Sequence, residues 1–299
     1  MNEAPVPLHR SGRLPAGGRV FANPPGAARP RVRCIDMPAA SNPHSIWSAV
    51  RSGERRHAYS LAIQRFGRVS PLAWAAFDYL FIAERLRRWW GGPLNGQAHR
   101  QRMVREIVER LDPAWIVETG TFRGTSTEFF ASLTSHPVFT VELDRQYYLF
   151  SKWSLRKHPH VEVRLGDSVS FLRELVGRAP RSATVFFYLD AHWYDHLPLL
   201  EELRIVFGGV DDAVVMIDDF QVPGDAGYGF DDYGAAGRLT LDYLEPLKDL
   251  DFAIYGPSLP SSAETGARRG SVVLARGPAT ATLDRLSSLH RFGRAAACL

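Results

Sequence analysis

The sequence predicts an α/β domain, a mostly parallel sheet with helices on both faces, preceded by a helical extension and a basic tail. Three observations predict it. From residue 97 onward, short apolar runs alternate with stretches of helical period. The first run, Trp115-Ile116-Val117, leads straight into a glycine turn, Glu118-Thr119-Gly120-Thr121-Phe122-Arg123-Gly124-Thr125, and then into a helical pattern over 126–133. A strongly apolar run over 184–189 reads as a central parallel strand buried on both faces.

Composition bounds the chain before any motif is read. With 299 residues, 45% hydrophobic and 23% charged, it can bury a sizeable core. The net charge of +4 hides an asymmetry: residues 1–110 carry 18 Arg and no Lys against 7 acids, and the remainder carries 18 basic residues against 25 acidic. A basic appendage on a domain with an acidic site is the simplest reading. Cys34 and Cys298 stand near opposite ends, which suggests neither a disulfide framework nor a zinc site and makes a cytoplasmic setting the default. The N-terminus lacks a basic start followed by an apolar core, so no secretory leader is expected.

Residues 1–45 are rich in Pro, Ala, Gly and Arg, have no hydrophobic period, and read as a disordered basic tail. Residues 46–96 read as a helical extension, with Pro71 at a first turn and an unbroken helix over 72–90. Asp78 and the arginines near Trp89-Trp90 rule out a membrane span of about 20 residues. Two roles fit this helix: packing on the main domain, or a surface for a membrane interface or a second copy. No nucleic-acid partner is expected.

Residues 97–111 form the next helix, stopped by Asp112-Pro113. In the turn that follows the first strand, Gly120 lets the backbone bend tightly and a ligand lie close, and Gly124 brings the helix start near the strand. The pattern E-x-G-x-x-x-G differs from the dinucleotide fingerprint G-x-G-x-x-G. A carboxylate at Glu118 would repel a pyrophosphate, which argues against a nicotinamide oxidoreductase. It suits S-adenosylmethionine, which has an ammonium and a sulfonium and no phosphate. Thr121 belongs to the same cofactor-binding turn.

The second strand, over 137–141, ends at Glu142, 22 residues beyond Gly120. A carboxylate there can accept from both ribose hydroxyls. Asp144 is the neighbouring alternative. A helix over 145–157 leads to an alternating third strand over 161–165, and then Gly166-Asp167-Ser168. Asp167 is placed to accept from an adenine amine, and Ser168 to cap the helix that runs to 175.

The strand over 184–189 ends at Asp190-Ala191-His192-Trp193, and the fifth strand, over 213–217, ends at Asp218-Asp219. Ligands bind outside the carboxyl ends of such strands. Asp190, Asp218 and Asp219 converging there need a cation, and hard oxygen donors suit Mg²⁺. His192 is the candidate general base, and His196 the weaker one. A long loop over 220–240 reads as a substrate lid offering Tyr228, Phe230 and Tyr233. Strands over 251–255 and 271–275 form a closing hairpin in which Arg268-Arg269 read as solvated charges, with contact to an anionic or hydroxylated substrate as the alternative. A terminal helix is expected over 283–289.

This order of features, carried by Glu118-x-Gly120-x-x-x-Gly124, Glu142, Gly166-Asp167-Ser168, Leu189-Asp190-Ala191-His192-Trp193 and Ile217-Asp218-Asp219, resembles the class I S-adenosylmethionine-dependent methyltransferases. Within them it is similar to the metal-dependent O-methyltransferases of the catechol and macrocin type. The resemblance covers residues 97–276 and makes 97–299 the methyltransferase domain. It implies a Rossmann-like, seven-stranded sheet with an antiparallel final hairpin. It also implies Mg²⁺ on Asp190, Asp218 and Asp219, with methyl transfer to a small-molecule hydroxyl such as that of a sugar or natural product. The family's lysine base has no counterpart between Lys157 and Lys248, so His192 takes its place. The alternatives are a metal-independent methyltransferase and a non-catalytic binding protein that docks through its basic N-terminal region.

Overall fold

The computed structural model describes residues 70–84, 91–192 and 197–293. The basic tail, the extension before residue 70, the arginine–tryptophan segment 85–90, Trp193 and His196 lie outside the described residues. Helix α1 (Pro71–Phe77) begins where its chemistry says it should: the Ser70 hydroxyl accepts from the Ala73 N–H at 3.3 Å, and Pro71 occupies the first turn. The chain then widens into a π-helical turn, Asp78–Ile82, instead of continuing as regular α-helix. Asp78 is buried there and accepts from the Gln146 amide at 3.1 Å.

Helix α2 (Ala98–Leu111) buries Met103, Val104, Ile107 and Val108 along one stripe. It ends at Asp112, whose left-handed φ of 44° stops the helix ahead of Pro113. Strand β1 (Trp115–Thr119), helix α3 (Thr125–Leu133), strand β2 (Val138–Glu142), helix α4 (Arg145–Leu155), strand β3 (Val161–Leu165) and helix α5 (Ser168–Val176) follow. Strand β4 (Val185–Leu189), helix α6 (Leu199–Gly209) and strand β5 (Ala213–Asp218) complete the parallel part. Strands β6 (Ala253–Pro257) and β7 (Ser271–Arg276) make the hairpin, and β7 inserts antiparallel between β5 and β6.

Among the described residues the sheet has eight strands in the order β3-β2-β1-β4-β5-β7-β6, closed by a final strand, β8 (Leu289–Arg291). This is the expected Rossmann-like architecture with one strand more than the seven expected. The expected terminal helix over 283–289 is replaced by a short helix α7 (Ala279–Leu283) and β8. The reason is the edge of β6, whose unpaired backbone groups are a template for pairing. The Phe292 N–H donates to the Ile254 carbonyl at 2.8 Å, and Ser288 is held by Glu106 at 2.7 Å, which pulls the segment out of a helix and onto the sheet. Between the loop and the hairpin lies a 3₁₀ segment, Leu241–Leu247, with Pro246 inside it, which has no backbone N–H to donate.

The period-2 alternation of the strands feeds two cores. Val117, Phe187, Leu189, Val215 and Ile217 meet Leu172, Leu203 and Phe207 on one face. Ile116, Phe186, Val214 and Val273 meet Met103, Ile107 and Phe130 on the other. Each such fully buried side chain contributes about 1.5–3 kcal/mol of transfer free energy. No described helix is long and apolar enough to cross a membrane.

Helix α2 is capped from a distance. Gln97, at its N-cap position, makes no side-chain cap, and the buried Glu264 carboxylate accepts instead from the His99 N–H at 3.0 Å and the Arg100 N–H at 3.1 Å. Glu264→Ala should lower stability by about 1–2 kcal/mol. A urea midpoint that does not move would show that the helix end does not need this carboxylate.

Candidate active site

The site grows from the register of parallel strands. Leu189 of β4 lies opposite Ile217 of β5, so the next residues, Asp190 and Asp218, emerge side by side at the carboxyl edge. On the other side of β4, Thr119 pairs with Leu189, which puts the glycine turn against the same edge. Gly120 has φ 86°, and a Cβ there would overlap the Asp190 carbonyl oxygen. Only glycine lets the turn press this closely on the strand end. Gly124, at φ 74°, caps α3 and faces Leu155.

Glu118 is buried beneath the turn. Its Oε2 accepts from the Thr127 hydroxyl and, at 2.6 Å, from Thr140. Thr140 spends its proton on Glu118, so Thr121, at 2.6 Å, is the donor to Thr140. Burial pushes the Glu118 carboxyl up to about 7, against the pull of these two hydroxyls. Glu142 stands at the end of β2, as the spacing predicts. Its two oxygens accept from the Phe122 N–H at 2.6 Å and the Asp144 N–H at 2.8 Å, while burial raises its pKa. Leu143 beside it is 64% exposed, an apolar face next to the ribose candidate that the sequence reading missed.

Asp144 caps α4, accepting from Gln146 at 2.7 Å. Asp167 caps α5, accepting from the Ser170 N–H at 2.9 Å, so the capping role expected of Ser168 belongs to Asp167. Ser168 is instead buried, its hydroxyl turned with that of Thr119 toward Glu202 without closing a hydrogen bond of good geometry. Glu202 of α6 is fully buried, and burial raises its carboxyl to about 7.

The acids at the β4 and β5 ends have different surroundings. Asp218 is buried and committed: Oδ1 pairs with Arg100 and accepts from the Asp219 N–H at 2.8 Å, and Oδ2 accepts from the Tyr188 hydroxyl at 2.6 Å. Asn95 approaches the same oxygen at 3.5 Å. Asp219, at φ 50°, sends Oδ1 to the Arg269 Nε at 2.6 Å. Arg269 also pairs with Asp231 of the 220–240 loop. Burial, then repulsion by Asp218, pushes the Asp219 carboxyl up to about 7. Asp190 forms no ion pair among the described residues, and burial followed by repulsion from Asp218, Asp219 and Glu118 raises its pKa well above the usual carboxylate range.

His192 is 4% exposed, and both of its ring nitrogens lack a hydrogen-bond partner among the described residues. Burial lowers its pKa, against the pull of Asp231 and Asp218. A ring nitrogen of His192 and one oxygen each of Asp190 and Asp219 lie within 4.8 Å of one another. Of the trio expected to hold a cation, Asp190 and Asp219 meet with His192, while Asp218 is engaged by Arg100 and Tyr188. Within the loop, Tyr233 donates to Asp231 and, at 3.4 Å, to the His192 carbonyl, while Tyr228 is buried and bonds the Leu259 carbonyl at 3.1 Å. Phe230 lies under Arg238, with the guanidinium 5.6 Å from the ring centroid.

Sequence reasoning missed Arg100, Arg269, Asp231 and Glu202. Arg100 did leave a signal, since it falls on the apolar stripe of α2 with Met103, Val104 and Ile107. Arg269 was read as a solvated charge and is an ion-pair partner of two acids.

No family model matches the chain, and no curated protein matches it. Among solved structures, it is similar to the O-methyltransferase TomG from Streptomyces achromogenes, in complex with SAM, at 19% identity over 60% of this chain and 80% of that one, with a TM-score of 0.42. It is also similar to the O-methyltransferase from Bacillus cereus, in complex with SAH, at 15% identity over 70% of this chain and 100% of that one, with a TM-score of 0.47. At these identities and TM-scores the likenesses carry no argument about activity.

Two outcomes test the geometry of the turn and the state of Glu202. Gly120→Ala forces a side chain into left-handed backbone and onto the Asp190 carbonyl, and should cost about 1–3 kcal/mol in denaturant unfolding. A variant as stable as the parent would mean that the turn relaxes freely. For Glu202, the folded pKa of about 7 exceeds the ordinary value of 4.5, so the folded state binds more protons between those values. Its contribution to stability therefore falls as pH rises from about 4.5 to about 7, and is constant above. Relative to the parent, Glu202→Gln should be more stable at pH 8 than at pH 5, by an amount on the order of 3 kcal/mol. A pH-independent difference in unfolding free energy would mean that Glu202 is ionised throughout.

Proposed function

We propose that the chain is an S-adenosylmethionine-dependent O-methyltransferase acting on a hydroxyl of a small molecule. The observation that carries the reading is the glycine turn pressed against the Asp190 carbonyl, with Glu118 beneath it and Glu142 at the end of the neighbouring strand. A cationic cofactor without phosphate fits this acidic cradle. Glu142, oriented by the Phe122 and Asp144 N–H groups, would accept from the ribose hydroxyls with its remaining lone pairs. Leu143 would pack on the adenine, with Asp167-Ser168 at its rim. Glu118 keeps Oε1 outside its two threonine bonds and is suited to the methionine ammonium.

Transfer then consists of positioning. Bound S-adenosylmethionine would supply the methyl group, whose bond to sulfur would break as the acceptor oxygen bonds to its carbon. The hydroxyl proton passes to the cluster of Asp190, His192 and Asp219. Holding the acceptor in line with the sulfonium is the larger part of the rate gain. Mg²⁺ on Asp190, Asp218 and Asp219 is not part of this reading, because Asp218 already neutralises Arg100. The acceptor enters beside Tyr233 and Asp231, where the 220–240 loop closes on Asp219 through the Asp231 N–H at 2.8 Å.

Calorimetric titration of the full chain with S-adenosylhomocysteine should show one site per chain. Glu142→Ala removes charge-assisted hydrogen bonds worth about 1.5–3 kcal/mol each, and should weaken binding by at least about ten-fold. Absence of heat with the parent protein would end the methyltransferase reading. Equal affinity in the variant would end the ribose assignment.

A further inference from the structure

The cation site differs in kind from the one the resemblance implies. Asp218, the expected central oxygen ligand, is buried with both oxygens engaged by Arg100, Tyr188 and the Asp219 N–H. What converges in its stead is a nitrogen donor. His192 is more than nine-tenths buried, and neither ring nitrogen has a hydrogen-bond partner among the described residues. Buried polar groups without partners are rare, because each forfeits its hydration without replacement. One of those nitrogens lies within 4.8 Å of carboxylate oxygens of Asp190 and Asp219. The Asp190 carboxylate makes no ion pair among the described residues, and Asp219 commits only Oδ1, to Arg269.

We propose that Asp190, His192 and Asp219 form a mixed nitrogen–oxygen site for a divalent transition ion of the Mn²⁺, Co²⁺ and Zn²⁺ class, and that Asp218 is the counter-ion of Arg100 and not a ligand. Imidazole nitrogen favours these ions over Mg²⁺ and Ca²⁺, which take oxygen. Two carboxylates and a neutral imidazole sum to the charge that one divalent ion balances. Ligand distances of about 2.0–2.2 Å require the three donor atoms to close by on the order of 1 Å, within the reach of side-chain rotation. Arg269, bonded to Oδ1 of Asp219, holds one of the three ligands in place, and the Tyr233 hydroxyl lies 3.4 Å from the His192 carbonyl. This deepens the reading above at its proton-accepting cluster and makes His192 a ligand in place of a base.

The test uses the full chain stripped with chelator, titrated separately with CoCl₂ and MgCl₂, without cofactor or acceptor. Heat and the visible absorption of bound Co²⁺ are recorded. The expected result is one Co²⁺ per chain, bound at least ten-fold tighter than Mg²⁺, with visible bands that require His192. Loss of outer-shell support alone costs about 10–100-fold in metal affinity, so His192→Ala and Asp190→Asn should each weaken Co²⁺ by at least ten-fold with unchanged circular dichroism. Mg²⁺ binding as tightly as Co²⁺, or Co²⁺ affinity retained in His192→Ala, would overturn the proposal. So would no bound ion at all, which would leave the three groups as an ion-free acceptor pocket. S-adenosylhomocysteine binding by the same stripped protein reports on the methyltransferase reading separately.

Discussion

Arg100 and Asp218 form a buried ion pair that ties three separate pieces of chain into one wall. Arg100 comes from α2, Asp218 ends β5, and the same guanidinium donates to the Arg269 carbonyl and, at 2.9 Å, to the Gly270 carbonyl at the entry of β7. Desolvating two charges is expensive, and such pairs contribute little net stability against an apolar alternative. What this pair supplies is specificity. With both terminal nitrogens of the guanidinium and both Asp218 oxygens engaged, helix, strand and hairpin are held in one relative arrangement. Remove either partner and a buried charge remains without compensation, at about 3–5 kcal/mol.

The acids that remain are then distinguished by what Arg100 does not reach. Asp190 and Asp218 must emerge together because β4 and β5 are parallel neighbours in register. Asp218 takes the arginine, Asp219 takes one side of Arg269, and Asp190 is left with neighbouring carboxylates. Its raised pKa and that of Asp219 have the same causes, burial first and then repulsion by Asp218. Asp219 is also held in left-handed backbone, at φ 50°, as is Gly120, at φ 86°, after β1. Strain, buried acid and an unpartnered imidazole are concentrated at one edge of an otherwise regular sheet, which is where local rules are expected to yield to function.

Much of this was legible in advance. The apolar runs and glycine turn specified β1 through β5 within a residue or two, and the 22-residue spacing found Glu142 at the end of β2. Strand ends carrying Asp190 and Asp218 could be placed at one edge because parallel connections leave few topologies. Less legible were features that depend on distant partners. The helix expected over 283–289 gave way to β8 because the edge of β6 needed pairing, and no local pattern reports that. Arg269 read as solvated because its two acid partners are 38 and 50 residues away.

By itself the sequence determined the architecture and the acidic character of its carboxyl edge. Period-2 and period-3.6 patterns, glycine positions and strand-end acids are local properties, and local physics suffices to read them. Tertiary structure alone decided which partner each acid takes. Asp218 and Asp219 are adjacent in the chain and chemically identical, yet one is paired with a guanidinium from α2 and the other, paired with Arg269, also faces His192. The reason is electrostatic: the cost of an unpaired buried charge depends on every neighbour within a few ångströms, and those neighbours come from four different segments of the chain.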